Sequence, residues 1–158
     1  MKAPAGIALR QVHEYEAEDL ASLRVAAMRE SLERVGRFDP TRARERFLVG
    51  FSAIHTSHIV EGDVKVGFVV VRPHETGLLI DHLYVQPGSQ GKGIGAAVLA
   101  LVFAEADRQG KSLRVGALKE SRSNQFYARH GFGLVEQGEW DNYYVRHAQG
   151  TYNRQDDA

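Results

Sequence analysis

The sequence predicts a mixed α/β domain, and three observations carry that prediction. Apolar residues alternate at period two in some stretches and recur at helical spacing in others. These stretches follow one another as β-α-α-β-β-β-α-β-α-β-β, which is not the regular βαβ series of a doubly wound sheet. Midway, the apolar run Leu78 to Val85 leads into a glycine-rich loop and then into a helix-periodic run that reaches Gly110.

Taken in order, Ile7-Ala8-Leu9-Arg10-Gln11-Val12 alternates and reads as a strand. From Ala17 the period is helical, with Leu20, Leu23, Ala27, Met28, Leu32 and Val35 on one side and Gly36 as the stop. Asp39 caps a second, shorter helix and Pro40 suits its first position. Ala43 and Phe47 face inward there, and Gly50 ends it. Arg37, Arg42, Arg44 and Arg46 alternate with Asp39 and Glu45, so they read as a solvated face and not as a binding patch. Ile54 to Val60 and Val64 to Arg72 are strands joined by the hairpin signal Glu61-Gly62-Asp63. Pro73 to Gly77 is a turn, and Leu78 to Val85 is a buried strand. The next helix carries Ile94, Val98, Leu101 and Val102 at helical spacing. Leu113 to Leu118 is a strand, Ser123 to His130 a helix stopped by Gly131, and Leu134 to Gln137 and Trp140 to Arg146 are the last strands. One domain over 1–148 and a polar tail over 149–158 are expected.

The chain of 158 residues is long enough for a real core. Its 20 basic and 20 acidic residues cancel, which argues against a nucleic-acid binder. There is no cysteine, so disulfides, thiolate metal sites and a cysteine nucleophile are excluded. Met1 to Gly6 carries no apolar secretory segment, and no run is long enough to span a bilayer. A cytoplasmic location without membrane association is therefore expected. His55 and His58 fall on opposite strand faces without evident partners, so no metal site is expected.

The strand, the loop and the helix start at Leu78 to Ile94 form an anion site. Unpaired N–H groups and the helix dipole favour negative charge at a helix N-terminus, and glycine lets a phosphate approach the backbone. The Walker pattern fails, because Gly91-Lys92 is followed by Gly93. Gly91-Lys92-Gly93-Ile94-Gly95-Ala96 satisfies a loose dinucleotide pattern, but Gln86-Pro87-Gly88-Ser89-Gln90 intervenes after the strand and too little chain follows for a second half.

Gln90-x-x-Gly93-x-Gly95 after Leu83-Tyr84-Val85-x-Pro87 resembles the acetyl-CoA loop of the GNAT superfamily of N-acetyltransferases. Phe126-Tyr127-x-x-His130-Gly131-Phe132 is similar to that family's aromatic-Tyr-x-x-x-Gly-Phe segment. The resemblance implies a mostly antiparallel central sheet with helices on both faces and one parallel strand pair. The resemblance also implies that this pair, Leu78–Val85 and Leu113–Leu118, splays around acetyl-CoA. It implies that the pyrophosphate meets the loop at Gly91, Lys92, Gly93, Ile94 and Gly95, that Gln90 shapes the loop, and that Leu83, Tyr84 and Val85 carry the pantetheine arm on their backbone. Tyr127 sits where the family often has a tyrosine near the departing sulfur. A tyrosine hydroxyl at a pKa of about 10 lies above a thiol at about 8.5, so full proton donation is uphill by roughly 2 kcal/mol and a hydrogen bond to sulfur suits it better. Where the family often has an asparagine, this chain has Glu120, with Ser121 and Asn124 close by to substitute.

The acceptor amine must lose a proton before it attacks. Asp81, which shares strand parity with Leu83, and Glu120 are the candidate bases, while His82 reads as a packed or surface histidine. Trp140, Tyr143 and Tyr144 crowd the last strand, where one of them lines the acceptor pocket or all belong to the sheet. The expected reaction is transfer of acetyl from acetyl-CoA to the primary amine of a small molecule or peptide, by direct attack, with the N–H of Leu83 or Val85 facing the oxyanion. A non-catalytic CoA-binding module is the alternative, and a dinucleotide oxidoreductase a more distant one. Similar proteins are commonly homodimers.

Overall fold

The structure, a computed structural model, describes residues 6–150. Of the predicted tail, residues 151–158 lie outside that range. The elements are β1 (Ile7–Gln11), α1 (Ala17–Arg34), α2 (Pro40–Val49), β2 (Thr56–Glu61), β3 (Val64–His74), β4 (Gly77–Val85), α3 (Ile94–Gln109), β5 (Leu113–Leu118), α4 (Ser123–Arg129), β6 (Gly133–Gln137) and β7 (Asp141–Arg146). Their order is the predicted one. They form a mixed α/β fold with a seven-stranded sheet of order β1-β2-β3-β4-β5-β7-β6. β4 and β5 run parallel from Leu78 opposite Leu113 to Ile80 opposite Val115. The pairs β1/β2, β2/β3, β5/β7 and β6/β7 run antiparallel. Among the described residues no helix is long and apolar enough to cross a membrane.

The chain divides into two compact units, and among the described residues the first takes 6–71 with 81–98. Its core holds Val12, Leu20, Ala21, Phe47, Phe68 and Val70. Phe47 and Phe68 meet edge to face at 5.3 Å, each burying a side chain that contributes roughly 2–3 kcal/mol. α2 starts as predicted, with the Asp39 carboxylate accepting from the Arg42 N–H at 3.1 Å and Pro40 in the first position. Ahead of α1 stands a buried polar knot. The Glu16 carboxylate accepts from the His13 N–H at 2.8 Å, from His58 Nε2 at 2.9 Å and from Lys65 Nζ at 3.0 Å.

The second unit takes 72–80 with 99–150. Leu113 and Val115 of β5 are buried with Ala106 of α3. Arg146 donates to both oxygens of Asp107 at 3.0 and 3.1 Å, and its guanidinium lies 3.9 Å from the centre of the Phe103 ring. α4 ends on Gly131 at φ 92. The Gly131 N–H donates to the Ala128 carbonyl and the Phe132 N–H to the Tyr127 carbonyl. That is the two-bond glycine stop of a helix, and its usual apolar contact is present, with the Tyr127 and Phe132 rings 5.3 Å apart.

Leu101 shares the helical spacing of α3 but is 42% exposed, whereas Ile94, Val98, Val102 and Ala106 are buried. Each four-residue step advances the buried stripe by about 40°, which leaves Leu101 on the trailing edge. Some expectations need correction. Residues 53–55 form a single 3-10 turn, so β2 begins at Thr56 and Ile54 is exposed. The Thr56 hydroxyl and the His55 N–H both donate to the Ser52 carbonyl, a local alternative to the strand ladder. His58 has the Glu16 carboxylate as its partner, and His55 Nδ1 lies 2.9 Å from the Ser52 hydroxyl. The turn after β3 shrinks to Glu75 and Thr76, with Glu75 at φ 54. Trp140 precedes β7 and is exposed.

The Glu16 knot makes stability depend on pH. The His13 N–H most of all, then His58 and Lys65, hold the Glu16 carboxyl at about 2 against the opposing effect of burial. A carboxyl held below its unfolded value stabilises the fold fully above that value, and the contribution fades as pH falls toward the folded one. Between about pH 5 and 2, the denaturation midpoint of the natural chain should therefore fall more steeply than that of Glu16→Gln. Parallel slopes in urea titrations would remove Glu16 from the acid limb.

Candidate functional site

In the first unit the site begins with the alternation of β4. Successive strand residues point to opposite faces. His82 and Tyr84 pack toward α1 and α2, with the His82 ring 5.2 Å from that of Phe47 and the Tyr84 ring 5.6 Å from that of Phe68. The Tyr84 hydroxyl lies 3.3 Å from Met28 Sδ and 3.4 Å from His82 Nδ1, and it accepts from Arg24 Nε at 3.4 Å. The other face carries Asp81, Leu83 and Val85. The Asp81 side chain is 36% exposed against 15% for His82, and the two approach to 3.8 Å. This strand therefore presents a carboxylate to one side and a packed imidazole to the other.

Its position is fixed from β3. A β-carbon at Gly67 would lie 2.2 Å from the Tyr84 carbonyl oxygen and 3.0 Å from Val85 Cα. Just beyond, the Gln86 N–H donates to the Val66 carbonyl at 2.8 Å.

The loop then closes on itself. Residues 87–89 make one 3-10 turn, with the Ser89 N–H on the Gln86 carbonyl at 2.9 Å and Gln86 Nε2 on the Ser89 hydroxyl at 3.1 Å. Gln90 reaches back and donates from Nε2 to the Val85 carbonyl at 2.9 Å, tying the loop to the end of β4. Gly91 and Gly93 both take positive φ, 78 and 80. The space where a Gly91 β-carbon would point is open. The Gly93 carbonyl accepts the first helical bond of α3, from the Ala97 N–H at 3.1 Å. Gly93 therefore stands at the cap position with no side-chain oxygen for the N–H groups of Gly95 and Ala96. Lys92 is exposed beside them. Ile94 is 1% exposed, so its side chain anchors the helix in the core and only its backbone is offered outward. The arrangement can hold an anion by backbone dipoles, with one cation adjacent.

In the second unit, Glu120, Asn124 and Tyr127 lie on the turn from β5 into α4. Glu120 is exposed and left-handed, at φ 70. Asn124 Nδ2 donates to the Leu118 and Ser121 carbonyls at 3.0 and 2.9 Å, and its Oδ1 accepts from Asn142 Nδ2 at 2.9 Å and the Tyr144 hydroxyl at 2.8 Å. Its amide is thus committed to holding the turn against β7. Tyr127 is 5% exposed, between the rings of Phe126, Phe132 and Tyr144. Tyr144 is buried and Tyr143 half-buried. Among the described residues no group of three or more His, Asp or Glu could hold a metal ion. Sequence reasoning passed over Gly67 and Arg24. The signals that could have found them were a glycine inside a strand and a cation inside the apolar stripe of a helix.

Residues 48–133, just over half of the chain, match the family described as "Acetyltransferase (GNAT) domain". No protein of curated function matches the chain. Among solved structures, it is similar to the PaiA N-acetyltransferase of Thermoplasma acidophilum, solved in complex with coenzyme A. The TM-score is 0.78 at 14% identity, over 89% of this chain and 98% of that one. An acetyltransferase from Thermus thermophilus gives 0.72 at 17% identity, over 92% and 99%. The N-acetylglutamate synthase of Neisseria gonorrhoeae, complexed with coenzyme A and N-acetyl-glutamate, gives 0.62 at 18% identity, over 92% of this chain and 36% of that one. At these identities the likeness is one of fold.

The close approach at Gly67 yields a direct expectation. Gly67→Ala must push β4 away at Tyr84 and Val85, costing about 2 kcal/mol or more. Gly133→Ala, where a β-carbon meets nothing and φ is not positive, should stay within about 0.5 kcal/mol of the parent. Equal denaturation midpoints for the two variants would show that β4 is not held by this contact.

Proposed function

The chain belongs to the GNAT acetyltransferase family, and on that premise we propose that it moves an acetyl group from acetyl-CoA to a primary amine by direct attack on the thioester. The observation that carries this reading is the junction of β4 and α3. There a side-chain tether and two left-handed glycines, the second of them the helix cap, leave backbone N–H groups for an anion. The open space at Gly91 suits a pyrophosphate, which a β-carbon would crowd. Gly91, Lys92, Gly93 and Gly95, with the backbone of Ile94, are the residues proposed to hold it, and Gln90 keeps their loop on β4.

Leu83, Tyr84 and Val85 are proposed to carry the pantetheine arm on their backbone. The Tyr84 side chain is engaged with α1 and its carbonyl lies against Gly67 of β3, so Tyr84 serves the arm by spacing the backbone groups of Leu83 and Val85. The Val85 carbonyl already accepts from Gln90, which leaves its N–H as the group it offers. That N–H, or the one of Leu83, is proposed to stabilise charge developing on the thioester oxygen. Asp81, on the exposed face of β4, is proposed to take the proton of the attacking amine, with Glu120 as the other candidate. The C–N bond forms as the C–S bond breaks, and Tyr127 is proposed to hydrogen-bond the departing sulfur. Asn124, with its amide already in use, serves CoA by fixing the Leu118–Ser121 turn.

Thiol release from acetyl-CoA in the presence of an amine panel tests the reading. Gly93→Asp adds a β-carbon at φ 80 and a like charge to the proposed phosphate site, so CoA affinity should fall at least about tenfold. Unchanged affinity in a folded Gly93→Asp protein, measured by calorimetry, would take the loop out of the site.

The chemical step has its own test. Asp81→Asn should lower turnover by roughly 10²–10⁴ with acetyl-CoA binding intact, and part of the loss should return at high pH, where more amine is already neutral. Tyr127→Phe should lower kcat by about tenfold, or ~1.4 kcal/mol, again with binding intact. Full activity of Asp81→Asn across the pH range would pass the role of base to Glu120. A Tyr127→Phe protein that loses stability but not kcat would reduce Tyr127 to packing.

A further inference from the structure

Arg24 stands in the middle of the stripe that α1 turns inward, four residues after Leu20 and four before Met28. It is half-buried. Its Nη1 donates to the Ala43 carbonyl on α2, and its Nε donates to the Tyr84 hydroxyl at 3.4 Å. Both acceptors are neutral. Three other arginines of these helices are matched by charge, with Arg29 3.0 Å from Glu33, Arg34 3.2 Å from Glu30, and Arg44 paired with Glu18, while Arg42 and Arg46 are exposed to water. Among the described residues no carboxylate stands within ion-pair distance of Arg24.

A half-buried cation without a counter-charge is costly to desolvate. The two protein acceptors fix the guanidinium plane and leave the remainder of its N–H fork unused. That fork matches the two oxygens of a carboxylate. A single uncompensated positive charge suits a single negative one, whereas a phosphate ester carries nearly twice that and calls for further cations. The Tyr84 hydroxyl held by Arg24 belongs to β4, whose Leu83 and Val85 N–H groups are the proposed contacts of the thioester oxygen, and His82 and Phe47 add an aromatic wall on the same side as Tyr84, across the strand from Asp81.

We infer that Arg24 receives a carboxylate of the acceptor, so that the substrates of this site are amines that also carry a carboxylate group. The inference rests on the acyl-transfer reading above and narrows its acceptor class.

The test uses the full chain with acetyl-CoA and follows thiol release with matched pairs: amino carboxylates, from α- to ω-amino acids and dipeptides, each beside its carboxamide. For the pair turned over best, the carboxylate should exceed the carboxamide by at least about tenfold in kcat/KM. Arg24→Gln should abolish that preference by raising KM for the carboxylate at nearly unchanged kcat. Arg24→Lys, which keeps the charge and loses the fork, should give an intermediate ratio and carries the test should Arg24→Gln fail to fold. Acetyl-CoA binding by calorimetry should be equal in all three proteins. A carboxamide used as well as its carboxylate, or a preference that persists in folded Arg24→Gln, would overturn the inference and leave acetyl transfer standing. A natural chain that binds no acetyl-CoA would overturn the acyl-transfer reading and this inference with it.

Discussion

Strand alternation is the constraint on which the first unit depends. Neighbouring residues of β4 cannot share a face, so the strand divides its work at every step. His82 and Tyr84 are spent on packing against Phe47, Phe68 and Met28. Asp81, Leu83 and Val85 are thereby committed to the other side. Gly67 presses the backbone of β3 against the Tyr84 carbonyl, so β4 cannot roll to exchange its faces. The loop inherits that rigidity through Gln90, whose amide holds the last carbonyl of the strand. Preorganisation of this kind lets backbone dipoles act on a bound anion without reorganising first.

The second unit solves a different problem with polar groups. α4 is one short segment of seven residues, too short to be stable on its own. Asn124 fastens its beginning to the end of β5 and to β7. Gly131 and Phe132 fasten its end. Tyr127 lies between the two fastenings and takes its place from both. The Arg146–Asp107 pair, stacked on Phe103, ties β7 to α3 in the same manner.

Element order was legible in the sequence because periodicity and stop residues report local geometry. Pro40 after Asp39, and Gly36, Gly110 and Gly131 after their helices, mark boundaries that no distant contact has to supply. The left-handed turns at Gly91 and Gly93 were legible for the same reason, since glycine marks a backbone that must be left-handed or bare. Interactions between distant residues were not legible. Glu16 and His58 lie 42 positions apart, and nothing local to either announces the other. Gly67 looks like any weak strand residue until the neighbouring carbonyl is in view. Arg24 breaks the apolar stripe of α1, yet only the Ala43 carbonyl and the Tyr84 hydroxyl show how it is held there. Leu101 shares the spacing of its neighbours yet is exposed, because a helix that buries a drifting stripe does not bury every residue at the ideal spacing.

The helix stop at Gly131 bears on how such chains are classified. In Phe126-Tyr127-x-x-His130-Gly131-Phe132, the glycine is the left-handed stop, the phenylalanine is the residue after it, and the tyrosine is their partner one turn back. Those requirements belong to ending a short helix, and they hold whether or not any sulfur departs nearby. A descendant that had abandoned acyl transfer would keep the segment to stay folded. Its presence in a genome is therefore evidence of architecture and not, by itself, of chemistry.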